Sequence, residues 1–129
     1  MIFIIDSDKV MAECMARACR GYEVRVFSNA IEAMAALETG LPELILMEAM
    51  LMGPDGWSFL NELISYTDTA RIPVVMVSEL NLARFDLKAY GVVGALSKEK
   101  MTPSDIRQYA EKYVGAGEEE SACRDSDEK

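Results

Sequence analysis

Four short apolar runs in this chain each end on residues that can carry charge or donate a hydrogen bond. Ile2-Phe3-Ile4-Ile5 runs into Asp6-Ser7-Asp8, and Leu44-Ile45-Leu46-Met47 runs into Glu48. Val74-Val75-Met76-Val77 ends at Ser78, and Ala95-Leu96-Ser97 ends at Lys98. If the runs are parallel strands of one sheet, their carboxyl ends share the edge where open α/β sheets bind ligands. That edge would gather acids, a hydroxyl and one lysine, a set suited to binding a cation or handling an anionic group. Taken singly, each residue has a plainer reading. A Glu at a strand end is often a solvated acid, a nearby Lys its exposed ion-pair partner worth about 0–1 kcal/mol, and Ser78 a cap for the helix that follows. Together, at the ends of four strands, they favour a pocket.

Composition narrows the chemistry. The chain has no histidine, which excludes a histidine phosphocarrier, a Ser-His-Asp triad and any zinc site that needs imidazole. Three cysteines (Cys14, Cys19, Cys123) are too few for a four-thiolate zinc site and have no framework spacing, so a reducing, cytoplasmic setting is expected. Cys14 reads as a small buried apolar residue. The nine methionines are scattered over strands and helices and read as core filling. Trp57 reads as a packing or surface residue. A net charge of −9 argues against nucleic acid as a direct partner. No apolar stretch approaches the roughly 18 residues that span a bilayer, so no membrane insertion is expected, and no signal peptide is evident.

The 129 residues fit one domain with one core and a tail. Residues 115–129 carry six acidic and two basic residues without apolar periodicity, and read as a solvated, disordered tail. Residues 1–114 alternate strands with helices. Strand 2–6 leads into a helix from Lys9 to Arg20, capped by Asp8 and stopped by Gly21, with Val10, Met11, Cys14, Met15 and Ala18 on one face. Strand 23–27 precedes a helix opened by Ser28-Asn29 and closed at Gly40, burying Ile31, Met34, Ala35 and Leu37. Pro42 precedes strand 43–48, and the turn cluster Gly53-Pro54-Asp55-Gly56 leads into a helix from Trp57 to Tyr66. Strand 73–78 is followed by a helix over 81–90 presenting Leu82, Phe85 and Ala89, then by a short strand 94–97. Thr102-Pro103-Ser104-Asp105 opens a last helix presenting Ile106, Tyr109, Ala110, Tyr113 and Val114. Five successive βα units, with near-continuous apolar strands, predict an α/β doubly wound five-stranded parallel sheet in the order 2-1-3-4-5, flanked by five helices.

This pattern resembles the response-regulator receiver domain, the CheY-like family, over residues 1 to about 114. Several markers fall in the right order rather than one motif carrying the likeness. By the resemblance, Asp6 matches the first acid after strand 1, Ser7 replaces the second, and Asp8 follows. Glu48 takes the position of the phosphoacceptor aspartate. Asp55-Gly56 resembles the family's loop, with Met52 where proline is usual. Ser78 matches the switch hydroxyl and Lys98 the lysine, with Glu99 in place of the customary proline. Ala95 stands where an aromatic residue commonly swings during signalling. The resemblance implies a Mg²⁺ site at the second acid, the acceptor and a backbone carbonyl; here any such site would use Asp6, Glu48 and the Met50 carbonyl.

The departures bear on chemistry. Phosphotransfer to a carboxylate needs in-line geometry and a Mg²⁺ ion with near-octahedral oxygen ligands. Ser7 removes one negative charge from that set, and Glu48 carries its carboxylate outward by about 1.5 Å, one C–C bond. Misplacement on that scale costs on the order of 100-fold in rate. The expectation is therefore a non-enzymatic, phosphorylation-independent interaction module in signal transduction, with no cofactor and at most weak Mg²⁺ binding. Its Glu48 either mimics a phosphoaspartate in part or forms a fixed pair with Lys98. The alternative is a Mg²⁺-dependent phosphoacceptor served by a histidine kinase. A flavodoxin-like cofactor binder shares the fold, but the acidic loop after strand 1 lacks the amide-rich composition of a phosphate cradle. The resemblance implies another signalling protein as partner, a histidine kinase or an effector, docking on Leu80, Leu82, Arg84, Lys100 and Arg107.

Overall fold

The computed structural model describes residues 1–48, 54–79 and 88–114. Its strands are β1 (Ile2–Ile5), β2 (Val24–Phe27), β3 (Leu44–Glu48), β4 (Val74–Ser78) and β5 (Val92–Ser97). All neighbouring pairs are parallel, in the order β2-β1-β3-β4-β5. Between them lie α1 (Lys9–Ala18), α2 (Ala30–Ala36) and α3 (Pro54–Ser65), and α4 (Pro103–Tyr113) closes the fold. Among the described residues there are thus four α-helices rather than five. Of the expected helix over 81–90, residues 81–87 lie outside the described residues. Lys88–Tyr90 forms a single 3₁₀ turn, ended by Gly91 at φ +83°, where the Gly91 N–H donates back to the Lys88 carbonyl.

The three inner strands are buried at every position, as runs covered on both faces must be. Alternate side chains enter two cores. Phe3, Ile5, Ile45, Met47, Val74 and Met76 pack against α2 and α3 through Ala30, Ala33, Ala36, Phe59, Leu60 and Leu63. Ile2, Ile4, Leu44, Leu46, Val75 and Val77 pack against α1 and α4 through Ala12, Met15, Ala18, Ile106, Ala110 and Val114.

Two helix faces differ from expectation. On α1, Val10 is 71% exposed and Cys14 is exposed, whereas Ala12 and Cys19 are buried. On α2, Ile31 is 60% exposed and Ala35 is exposed, with Met34 and Leu37 half-buried; Ala30, Ala33 and Ala36 take the sheet side. On α2 alanines alone occupy the close-contact line, because a small side chain lets the helix axis approach the sheet, and the larger residues are displaced to the flanks; on α1 the expected Met15 and Ala18 share that line with Ala12. Cys19 is the buried thiol, and burial, opposed in part by the Arg107 charge, pushes its pKa up to about 11.

β5 begins two residues earlier than expected and carries an irregularity. Val74 pairs with Val92 but Val75 pairs with Gly94, so Val93 is the extra residue and is exposed. Gly94 makes room there for Tyr109, since an added Cβ would lie 2.1 Å from its Oη and the phenol would have to shift. The phenol of α4 therefore rests directly on the β5 backbone. The turn that follows β5 enters α4 through a reciprocal cap. The Asp105 N–H donates to Thr102 Oγ1 at 3.2 Å, and the Thr102 N–H donates to Asp105 Oδ2 at 2.9 Å.

Candidate functional site

At the carboxyl edge of the sheet the sequence separates residues 42 and 92 positions apart that the fold brings together. Asp6 follows β1, held by a backbone bond from its N–H to the Phe27 carbonyl at 3.0 Å. Glu48 is the last residue of β3, and Lys98 follows β5, its N–H donating to the Ser78 carbonyl at 2.9 Å. Parallel register aligns these strand ends, and the side chains converge. The Lys98 ammonium pairs with Glu48 Oε1 and lies 3.3 Å from Asp6 Oδ2. All three side chains are at least nine-tenths buried. Ser78 is buried beside them at the end of β4.

The remaining expected residues are placed differently. Asp6 Oδ1 accepts a bond from the Asp8 N–H at 2.8 Å, which turns the chain into α1. Asp8 is then the N-cap of α1, its Oδ1 accepting from the N–H groups of Val10 at 3.0 Å and Met11 at 3.2 Å. Its carboxylate serves the helix, not the cluster. Ser7 and Ala95 are exposed. Met50, Leu80, Leu82 and Arg84 lie outside the described residues, and Lys100 is exposed in the turn before α4. Arg107 does not join Lys100 on a free face. Its Nη1 donates to the carbonyls of Ala18 at 3.1 Å and Arg20 at 2.9 Å, tying α4 to the end of α1.

Electrostatics follow from burial. Two carboxylates and one ammonium leave one net negative charge in a site from which water is largely excluded. Desolvation raises the pKa of Asp6, assisted by the Glu48 charge and opposed by the Asp8 N–H and by Lys98. For Lys98, desolvation disfavours the ammonium, but the Glu48 hydrogen bond and the charges of Asp6 and Glu48 outweigh it, and its pKa is raised. Asp6 Oδ2 has no aligned hydrogen bond and relies on the ammonium facing it. The pair is thus a buried, oriented cluster rather than the solvated surface contact that either residue alone suggests. Among the described residues no group of three or more His, Cys, Asp or Glu side chains is placed to hold a metal ion.

The response regulator receiver domain family model matches residues 2–111. The chain belongs to that family. No match was found among curated proteins. Solved structures agree in fold. The receiver domain of NtrX from Brucella abortus is 23% identical with a TM-score of 0.75, over 88% of this chain and 98% of that one. CheY4 of Vibrio cholerae is 17% identical with a TM-score of 0.75, over 87% and 96%. The receiver domain of sensor histidine kinase PA1611 from Pseudomonas aeruginosa, solved with a magnesium ion in its active-site cleft, is 22% identical with a TM-score of 0.71, over 88% and 96%. The receiver assignment places the chain in two-component signalling, where such domains act through histidine kinases or effectors. No helix among the described residues is long and apolar enough to cross a membrane.

Proposed function

We propose that this receiver is a phosphorylation-independent interaction module whose site is held in one state by a fixed Glu48–Lys98 pair. The carrying observation is that the Lys98 ammonium already pairs with the carboxylate at the acceptor position and with Asp6, all three side chains being buried. An incoming phosphoryl group would have to displace that ammonium from Glu48 and leave two buried carboxylates competing for it. The donor set also fits Mg²⁺ poorly. Ser7 supplies no carboxylate, Asp8 caps α1, and the two remaining acids are engaged by Lys98. Ala95, small and exposed, has no ring to rotate between states. Output then rests on contact with another signalling protein.

Intact-protein mass spectrometry after incubation with acetyl phosphate and Mg²⁺ tests this reading. The expected order is no labelling of the wild type, none of Ser7→Asp or Glu48→Asp alone, and Mg²⁺-dependent labelling of the double variant. Stable phosphoryl mass on wild-type Glu48 overturns the reading in favour of a Mg²⁺-dependent phosphoacceptor.

A further inference from the structure

A second charged site lies where the end of α1 meets the start of α4. Arg17, Ala18, Arg20, Pro103, Ser104 and Arg107 line an open cavity of about 380 Å³. Three of these six are arginines and none is an acid, in a chain of net charge −9. The cavity shares no residue with the Asp6–Glu48–Lys98 cluster.

The arginines are not equivalent. Arg107 is fixed by its bonds to the Ala18 and Arg20 carbonyls, and its guanidinium lies 5.6 Å from the centre of the Tyr22 ring. Among the described residues, the acids paired with these arginines sit at the flanks. Glu13 lies 3.5 Å from Arg17 and Glu111 lies 3.7 Å from Arg107, each an exposed pair that solvent screens. Asp105 is committed to the α4 cap and lines a different cavity with Tyr109 and Lys112. Arg20 makes no ion pair among the described residues. The site therefore combines one anchored guanidinium with two adjustable ones, and Ser104 adds a hydroxyl.

We infer that this cavity binds a small phosphate-bearing anion of at least two negative charges. Guanidinium groups present planar forks that bind phosphate oxygens in pairs. Arg17 and Arg20 have forks not committed to main-chain carbonyls, and with the fixed charge of Arg107 beside them they suit a group with oxygens on several sides, which a carboxylate, with two oxygens in one plane, does not offer. A bound anion would bridge α1 and α4 and give the domain a ligand input that does not pass through Glu48.

The test titrates the full chain with sodium pyrophosphate at ionic strength held constant with sodium chloride, followed by ¹H–¹⁵N correlation spectra. Saturable shifts centred on Arg17, Arg20, Ser104 and Arg107 are expected. Arg17→Ala with Arg20→Ala should weaken binding by about tenfold or more, since charge-assisted bonds are lost while Arg107 keeps its structural bonds. Arg17→Lys with Arg20→Lys, which keeps charge but loses the forks, should fall between the two. Linear, unsaturated shifts overturn the proposal, as does an alanine variant binding within about twofold of wild type. Tighter binding of a hexaglutamate peptide than of pyrophosphate also overturns it, by assigning the surface to acidic polypeptide.

Discussion

At the residue scale, Lys98 is the charge on which the carboxyl edge depends. Removing one partner of a buried ionic cluster costs about 3–5 kcal/mol, because the remaining charges are left without compensation. Lys98→Met should therefore consume much of a domain stability that is typically about 5–15 kcal/mol. Urea unfolding measures it, and adding Glu48→Gln should recover part of the loss, since the two sites are coupled. The pH dependence has a definite sign. Asp6 has a folded pKa raised above 3.8, so its contribution to stability is full below that value and is lost as pH rises through the folded value. Asp6→Asn removes this titration. Its stability relative to wild type should improve as pH rises from 3.8 through the folded value. A flat or opposite trend in paired urea titrations would show that Lys98 outweighs desolvation at Asp6. Lys98 acts at the other end of the scale. Its raised pKa keeps the ammonium's contribution in place below 10.5, and the contribution is lost only as pH climbs past the folded value.

At the scale of elements, α2 and α4 show how close approach is purchased with small side chains. Ala33 is fully buried against the sheet, so Ala33→Leu should overpack the contact and cost about 1–3 kcal/mol. Ile31→Ser on the exposed flank should stay within about 0.5 kcal/mol of wild type. Equal costs at both positions, measured by thermal unfolding, would mean that α2 is rotated from the orientation described. Gly94 makes a parallel case on β5. An added methyl would lie 2.1 Å from Tyr109 Oη and 2.8 Å from its Cζ, so Gly94→Ala must displace the phenol. A loss of about 1–3 kcal/mol is expected, and Tyr109→Ala in the same chain should be less costly than the two single losses added. Arg107 belongs to this scale too. It ties α4 to the carbonyls at the end of α1, so Arg107→Glu is expected to weaken the fold itself and is unsuitable for mapping a partner.

At the scale of the molecule, two cores on opposite sheet faces share the same three inner strands, so they are expected to unfold as one unit. Trp57, the single tryptophan, contacts the Tyr90 ring at 5.2 Å and packs on the α2–α3 core. Its fluorescence should follow the same transition as far-ultraviolet circular dichroism. Separate midpoints would show that the two faces unfold independently. A chain ending at residue 114 is expected to unfold within about 0.5 kcal/mol of the full chain, because α4 already ends there and residues 115–129 are mostly charged or small, with no large apolar side chain.

The strands, their order and the carboxyl-edge residues were legible in the sequence. A continuous apolar run bounded by turn residues admits one role when both faces are covered, and right-handed crossovers then leave few orders. The caps at Asp8, Asn29 and Thr102 were equally local, since a cap is a bond between residues two or three positions apart. The buried faces of α1 and α2 were legible only in part: Met15 and Ala18 lie inward as read, whereas Val10, Cys14, Ile31 and Ala35 do not. Periodicity ranks Val10 and Ile31 above alanine, but the depth of a helix against a sheet is set by the smallest side chains on the contact line. Nor could sequence assign all the charges. Its position gives Asp8 to the α1 cap, but only the folded chain brings Asp6 and Glu48 together on Lys98. The reason is geometric. Ion pairs form between groups brought within a few ångströms, and that distance is decided by the register of strands far apart in sequence.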